Sequence, residues 1–83
     1  MKFTVISEIT DIQLIAKGTG VDIRHYLNRT YARGRRANWR KLKGKAIVEY
    51  VNSEIWEVEL HWFEASGFGR KDEKDKRKFR RIA

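Results

Sequence analysis

Lys45 to Lys71 reads KAIVEYVNSEIWEVELHWFEASGFGRK. Apolar and polar residues alternate through most of it, the pattern of two half-buried β-strands joined by a turn. The connection around Val51–Ile55 is expected to hold an odd number of residues. If Tyr50 opposes Trp56, then Val48 opposes Val58 and Ala46 opposes Leu60, and Trp62 extends the same apolar face. A two-residue Asn52-Ser53 turn would instead set Trp56 beside Glu49 and Val48 beside Glu57. Burial of one face penalises that slip, because a shift of one residue turns every side chain over. The opposite face then carries Glu49, Glu57, Glu59, His61, Lys45 and Phe63, with Lys45 as the expected cross-strand neighbour of His61.

Around this hairpin the 83 residues allow one small domain and no second core. Ten aromatic residues help so short a chain fill its interior. There is no cysteine, which excludes disulfides and thiolate metal sites, and two isolated histidines make no zinc site. No cofactor motif is present: Lys17-Gly-Thr-Gly20 lacks both the GxxxxGK[ST] phosphate loop and a dinucleotide fingerprint. No apolar run approaches a membrane span and the N-terminus lacks a signal-peptide pattern, so a cytoplasmic protein is expected.

The net charge is +8, and it is segregated. Arg24 to Lys45 holds nine Lys/Arg and no Asp/Glu, whereas Arg70 to Ala83 holds eight against three. These blocks carry +9 and +5, leaving −6 on the remainder. Such a field favours polyanions, RNA or DNA, over neutral partners. A membrane surface is not expected, since no basic helix with a large apolar face accompanies the charge. The plain alternative is a basic surface that serves solubility alone.

In chain order, Phe3, Val5 and Ile9, then Ile12, Leu14 and Ala16, predict one or two strands about Ser7–Asp11, or one strand with a bulge. Val21 to Ala32 predicts the single helix. Ile23, Tyr26, Leu27 and Tyr31 share its inward face, and Arg24, His25, Asn28 and Arg29 its outer face. Thr19 or Asp22 can cap its start and Gly34 can end it. Trp39 lies inside the run Arg33, Arg35, Arg36, Arg40, Lys41, Lys43. It either stacks on a base between phosphate-holding cations or folds over the core. Residues 72–83 read equally as a basic edge strand or as a frayed tail, with only Phe79 and Ile82 as anchors.

At WRKLKG (Trp39–Gly44), ELHWFEASGFGRK (Glu59–Lys71) and the lysine repeat that follows, the chain resembles a family of short bacterial proteins of unassigned function. Its pattern is WRKLKG…E-[LV]-H-W-[YF]-E-A-x-G-x-G-[RK]-K. The resemblance covers about half of the chain and implies no activity. That family tends to carry an apolar residue where this chain has Asp75, which argues against a final paired strand. A looser likeness, in size, basicity and element order, is to the small RelE/ParE-like toxins. It would imply an endoribonuclease neutralised by an acidic protein partner, an antitoxin.

Metal-independent RNA cleavage needs a base, an acid and cations around the phosphorane. Glu59 and His61 are i and i+2 on one strand and so share a face. Glu59 is the candidate base and His61 the candidate acid, with Lys45, Arg70 and Lys71 as phosphate clamps. The bland account is that these carboxylates pair with nearby cations. The expectation is therefore a single basic α+β domain, with one amphipathic helix packed on an antiparallel β-sheet of three to five strands. Its expected role is binding nucleic acid, RNA favoured, through Arg35, Arg36, Arg40, Lys41, Lys43, Lys45, Arg70 and Lys71, with Trp39 as the candidate stacking residue.

Overall fold

A computed structural model describes residues 2–18 and 20–83. The elements are β1 (Phe3–Val5), β2 (Thr10–Lys17), α1 (Val21–Tyr31), β3 (Arg40–Tyr50), β4 (Ile55–Ala65) and β5 (Phe68–Arg81). All strand pairs are antiparallel, in the order β1-β3-β4-β5, with β2 on the same side of β3 as β1. The α+β expectation holds. The N-terminal alternation forms two strands, which share the outer edge of β3 end to end.

The hairpin faces are as the alternation requires, but its register differs by two residues. Val48 pairs with Trp56, Ala46 with Val58 and Gly44 with Leu60. The connection has three residues: the Tyr50 N–H donates to the Glu54 carbonyl at 2.9 Å, and Ser53 at φ +69° donates back to Tyr50. Because side chains alternate with period two, a two-residue change keeps both faces. It does change neighbours. Lys43, not Lys45, opposes His61, and Lys45 opposes Glu59.

Two apolar clusters form on opposite faces of this sheet. Ala46, Val48, Tyr50, Val58, Leu60 and Trp62 make the larger one, joined by Phe3, Val5, Ile9, Leu42 and Trp56. No helix covers it; the sheet curls over it. Asp75 on β5 reaches past β4 to accept from the Tyr50 hydroxyl at 2.5 Å, and the Lys78 ammonium lies 4.5 Å from the Tyr50 ring centroid. Four register shifts along β4–β5 supply the extra twist that this curl needs. Residues 72–81 are thus a paired strand, and Asp75 takes part in it rather than interrupting it.

Gly44 is where the curl leaves no room. A Cβ there would lie 2.6 Å from Ile9 Cγ2, 2.9 Å from the Thr10 carbonyl and 3.3 Å from Trp62. Gly44→Ala is expected to lower stability by about 1–3 kcal/mol, the range for overpacking. In a domain of this size that is a fall in Tm of roughly 4–8 °C per kcal/mol. Thermal unfolding followed by circular dichroism measures it. Gly69→Ala, whose Cβ meets nothing within 4 Å, is the comparison and should melt close to the parent.

The smaller cluster holds Leu27, Trp39 and Ala65, with Tyr31, Ala37, Phe63 and Phe68 against it. Phe63 and Ala65 alternate with Trp62 and Leu60, so α1 docks on the face opposite the larger core. Two expectations for the helix change. Asn28, assigned to the outer face, is buried, and its Oδ1 accepts from Trp39 Nε1 at 2.9 Å and the Ala37 N–H at 3.1 Å. A short amide is the side chain able to satisfy two donors in an apolar cluster, and helical periodicity carries no such information. Conversely Ile23 and Tyr26, assigned inward, are 46% and 42% exposed.

At the start of α1 Gly20 occupies the cap position without a side-chain bond, so Asp22 is not the cap; Thr19 lies outside the described residues. At its end the N–H groups of Ala32 and Gly34 both donate to the Asn28 carbonyl, with Gly34 at φ +78°. The Tyr31 hydroxyl donates to Asp72, which a bulge at φ +53° turns toward it, tying helix to β5. That bond, with burial, pushes the Tyr31 phenol above its ordinary range. No described helix is long and apolar enough to cross a membrane.

Candidate nucleic-acid interface

The face that carries α1 at one end is otherwise open, and the sheet register decides what stands on it. β4 contributes Glu57, Glu59, His61 and Phe63. Lys41, Lys43 and Lys45 stand opposite them on β3, and Lys71, Lys74, Arg77 and Arg80 on β5. Glu59 and His61 are therefore boxed by four cations, Lys43 and Lys45 on one side and Lys74 and Arg77 on the other.

At the centre His61 Nε2 donates to Glu59 Oε2 at 2.7 Å. This bond above all, helped by the nearby charges of Lys43 and Arg77, holds the Glu59 carboxyl below its usual range against desolvation. The bond joins one nitrogen of His61 to Glu59 and leaves the other ring nitrogen, the buried Nδ1, unpartnered. For cleavage the two groups would have to act on different substrate atoms, which requires this bond to open.

Several cations on the face rest on aromatic rings. Lys41 Nζ lies 5.8 Å from the Phe63 centroid, Lys71 5.4 Å from Tyr31, and Lys45 and the Arg77 guanidinium 5.6 and 5.4 Å from Phe79. Ion pairs are few and loose. Lys45 meets Asp11 at 3.7 Å and Arg80 meets Glu57 at 3.7 Å, both with half or more of the cation exposed. Two grooves flank the central pair. One, of about 220 Å³, is lined by His61, Lys41 and Lys74 beneath Ile23 and Tyr26. The other, of about 290 Å³, is lined by Glu59, Lys43 and Lys45 beside Asp11 and Gln13.

Of the residues singled out from sequence, Lys41, Lys43, Lys45, Lys71, Glu59 and His61 share this face. Arg35 and Arg36 are exposed in the loop between α1 and β3. Arg40 stands on the opposite face against Glu64, at 3.8 Å. Arg70 pairs with Glu73 at 3.3 Å beside Phe3 and Val5, away from His61, so it does not clamp a phosphate there. Trp39 is 1% exposed and cannot offer a ring face to a base; its indole is spent on Leu27 and Asn28.

Sequence reading missed Lys74, Lys76 and Arg77. They lie in the repeat KDEKDKRK, whose alternation was visible, but the β4–β5 bulges decide which members face His61. Among the described residues no cluster of three or more His, Asp or Glu side chains could hold a metal. Comparison with protein-family models, curated proteins and solved structures gives no match.

Proposed function

We propose that the protein binds nucleic acid, RNA in preference to DNA, by its backbone phosphates across the open face of the sheet. The observation that carries this is the box of Lys43, Lys45, Lys74 and Arg77, which surrounds a carboxylate already bonded to His61. Its four positive charges outnumber those of the two carboxylates they meet, Glu59 and Asp11, and the surplus favours a polyanion. An open antiparallel face with half-buried Phe63 and Phe79 suits single strands, and α1 offers no run of base-reading residues for a major groove. Binding to single-stranded RNA, duplex RNA and duplex DNA should be compared across a salt series. Affinity is expected to fall steeply with salt, as neutralised phosphates give up counterions. Equal affinity at low and high salt would reject the proposal.

A second reading, endoribonuclease action of the toxin type, draws support from one observation, the Glu59–His61 bond beside four cations. In it Glu59 takes the 2′-hydroxyl proton, His61 protonates the leaving oxygen, and an acidic protein partner neutralises the protein by covering the cations. Purified protein incubated with a long RNA in EDTA tests it. Cleavage to 2′,3′-cyclic ends that His61→Ala abolishes would favour this reading. Intact RNA would reject it.

A further inference from the structure

The groove under α1 has a composition that phosphate binding alone does not explain. Leu27 and Tyr31 dock the helix on the sheet, but Ile23 and Tyr26, on the same stripe one turn earlier, hang over an open cavity. Nothing in the described chain fills it. Its roof is therefore apolar and its floor holds Phe63, while Lys41, Lys74 and Lys76 form the rim around His61. At about 220 Å³ it lies below the roughly 300–1,000 Å³ of sites for drug-sized ligands. A single flat ring system fits that size; a base pair does not.

A ligand complementary to this cavity is flat and apolar at one end and anionic at the other. We infer that it receives one unstacked nucleobase of a single strand, with the adjoining phosphate on Lys74 and Lys41. This rests on the nucleic-acid reading above and adds what that reading lacks, a reason to prefer single strands over duplex. In a duplex the bases are stacked and paired, so none is available to enter; in a single strand one can turn out at little cost. Tyr26 supplies the π-face, and stacking of this kind tolerates any base. Asp72 also lines the cavity, and the carboxylate oxygen not bonded to Tyr31 adds an acceptor for a ring N–H or an exocyclic amine.

Tyr26→Ala and Ile23→Ala test it, and both positions are exposed enough for the fold to survive, as circular dichroism will check. The probes are a single-stranded RNA oligonucleotide, a strand of the same length that is abasic at every position, and the duplex. We expect Tyr26→Ala to weaken single-strand binding about tenfold, in keeping with loss of one stacked base. Duplex affinity and the salt slope should not change, and the abasic strand should bind parent and variant alike. If both variants keep full single-strand affinity while loss of the four cations weakens it, the base pocket is wrong and phosphate binding stands.

If instead the parent shows no salt-dependent binding, the polyanion reading fails and the pocket is judged by nuclear magnetic resonance. A nucleoside 5′-monophosphate must then shift Ile23, Tyr26 and His61 resonances where inorganic phosphate does not. Absence of those shifts overturns the pocket.

Discussion

Trp39→Ala is expected to cost about 3–5 kcal/mol, the range for truncating a buried aromatic to alanine. A small domain has only a little more than that in total. The indole contributes twice. Its rings fill the space between Leu27, Ala65 and Phe68, with the Phe68 centroid 5.5 Å away. Its Nε1–H also donates to the buried Asn28, which otherwise accepts only from the Ala37 N–H. Urea denaturation should find the midpoint sharply lowered, and far-UV circular dichroism should show helical signal lost ahead of strand signal.

Trp39→Phe keeps much of the packing and drops the donor, so a smaller loss is expected, about 1–3 kcal/mol. Asn28 would still hold the Ala37 N–H. Were Trp39 a base-stacking residue, Trp39→Ala would leave the midpoint unchanged and weaken RNA binding. That pattern would contradict the buried position.

The largest expected effect on binding comes from changing Lys43, Lys45, Lys74 and Arg77 together to Gln. Each phosphate contact removed should lower the slope of log affinity against log salt by roughly 0.7–1, and four of them by about three. At physiological salt that corresponds to a loss of roughly 10²-fold, uniform across sequences. Fluorescence anisotropy with a labelled single strand at several salt concentrations measures both quantities. The fold should tolerate the change, because exposed ion pairs contribute little to stability.

Arg40→Gln and Arg70→Gln remove the same charge from positions away from the box. They should reduce affinity far less and leave the slope nearly intact. A quadruple variant that binds like the parent, or an Arg40 or Arg70 variant that fails as badly, would move the interface off this face.

The hairpin's faces were legible because alternation and burial act on side chains, which a sequence states directly. The register was not. Both odd connections bury the same residues, and the choice between them lies in backbone bonds at Tyr50, Ser53 and Glu54 that leave no apolar trace. Asn28 was misread, and Trp39 could not be decided between stacking and core, for a related reason. Each is explained by the other, across eleven residues, and neither helical periodicity nor local charge reports a partnership of that kind.

The final strand was the least legible element. Phe79 and Ile82 looked too few to hold it, but pairing with β4 and the hydroxyls of Tyr31 and Tyr50 on Asp72 and Asp75 hold it instead. Those are tertiary contacts made by residues that look solvated in isolation. Glu59 and His61 were placed together by simple strand geometry. The cations around them could be assigned only once β5 had a register.

The lysines lying on Phe63, Phe79 and Tyr31 have a consequence for how fast and how selectively this face can engage a strand. A free ammonium on four methylenes samples many rotamers, and fixing one on a phosphate costs about 0.5–1.5 kcal/mol of entropy per side chain. Over a ring, the stem is already confined. Part of the ordering that binding demands has then been completed by folding. The aromatic side chains of this face act as supports for its charges, so trimming Phe79 would blunt recognition while leaving the net charge untouched.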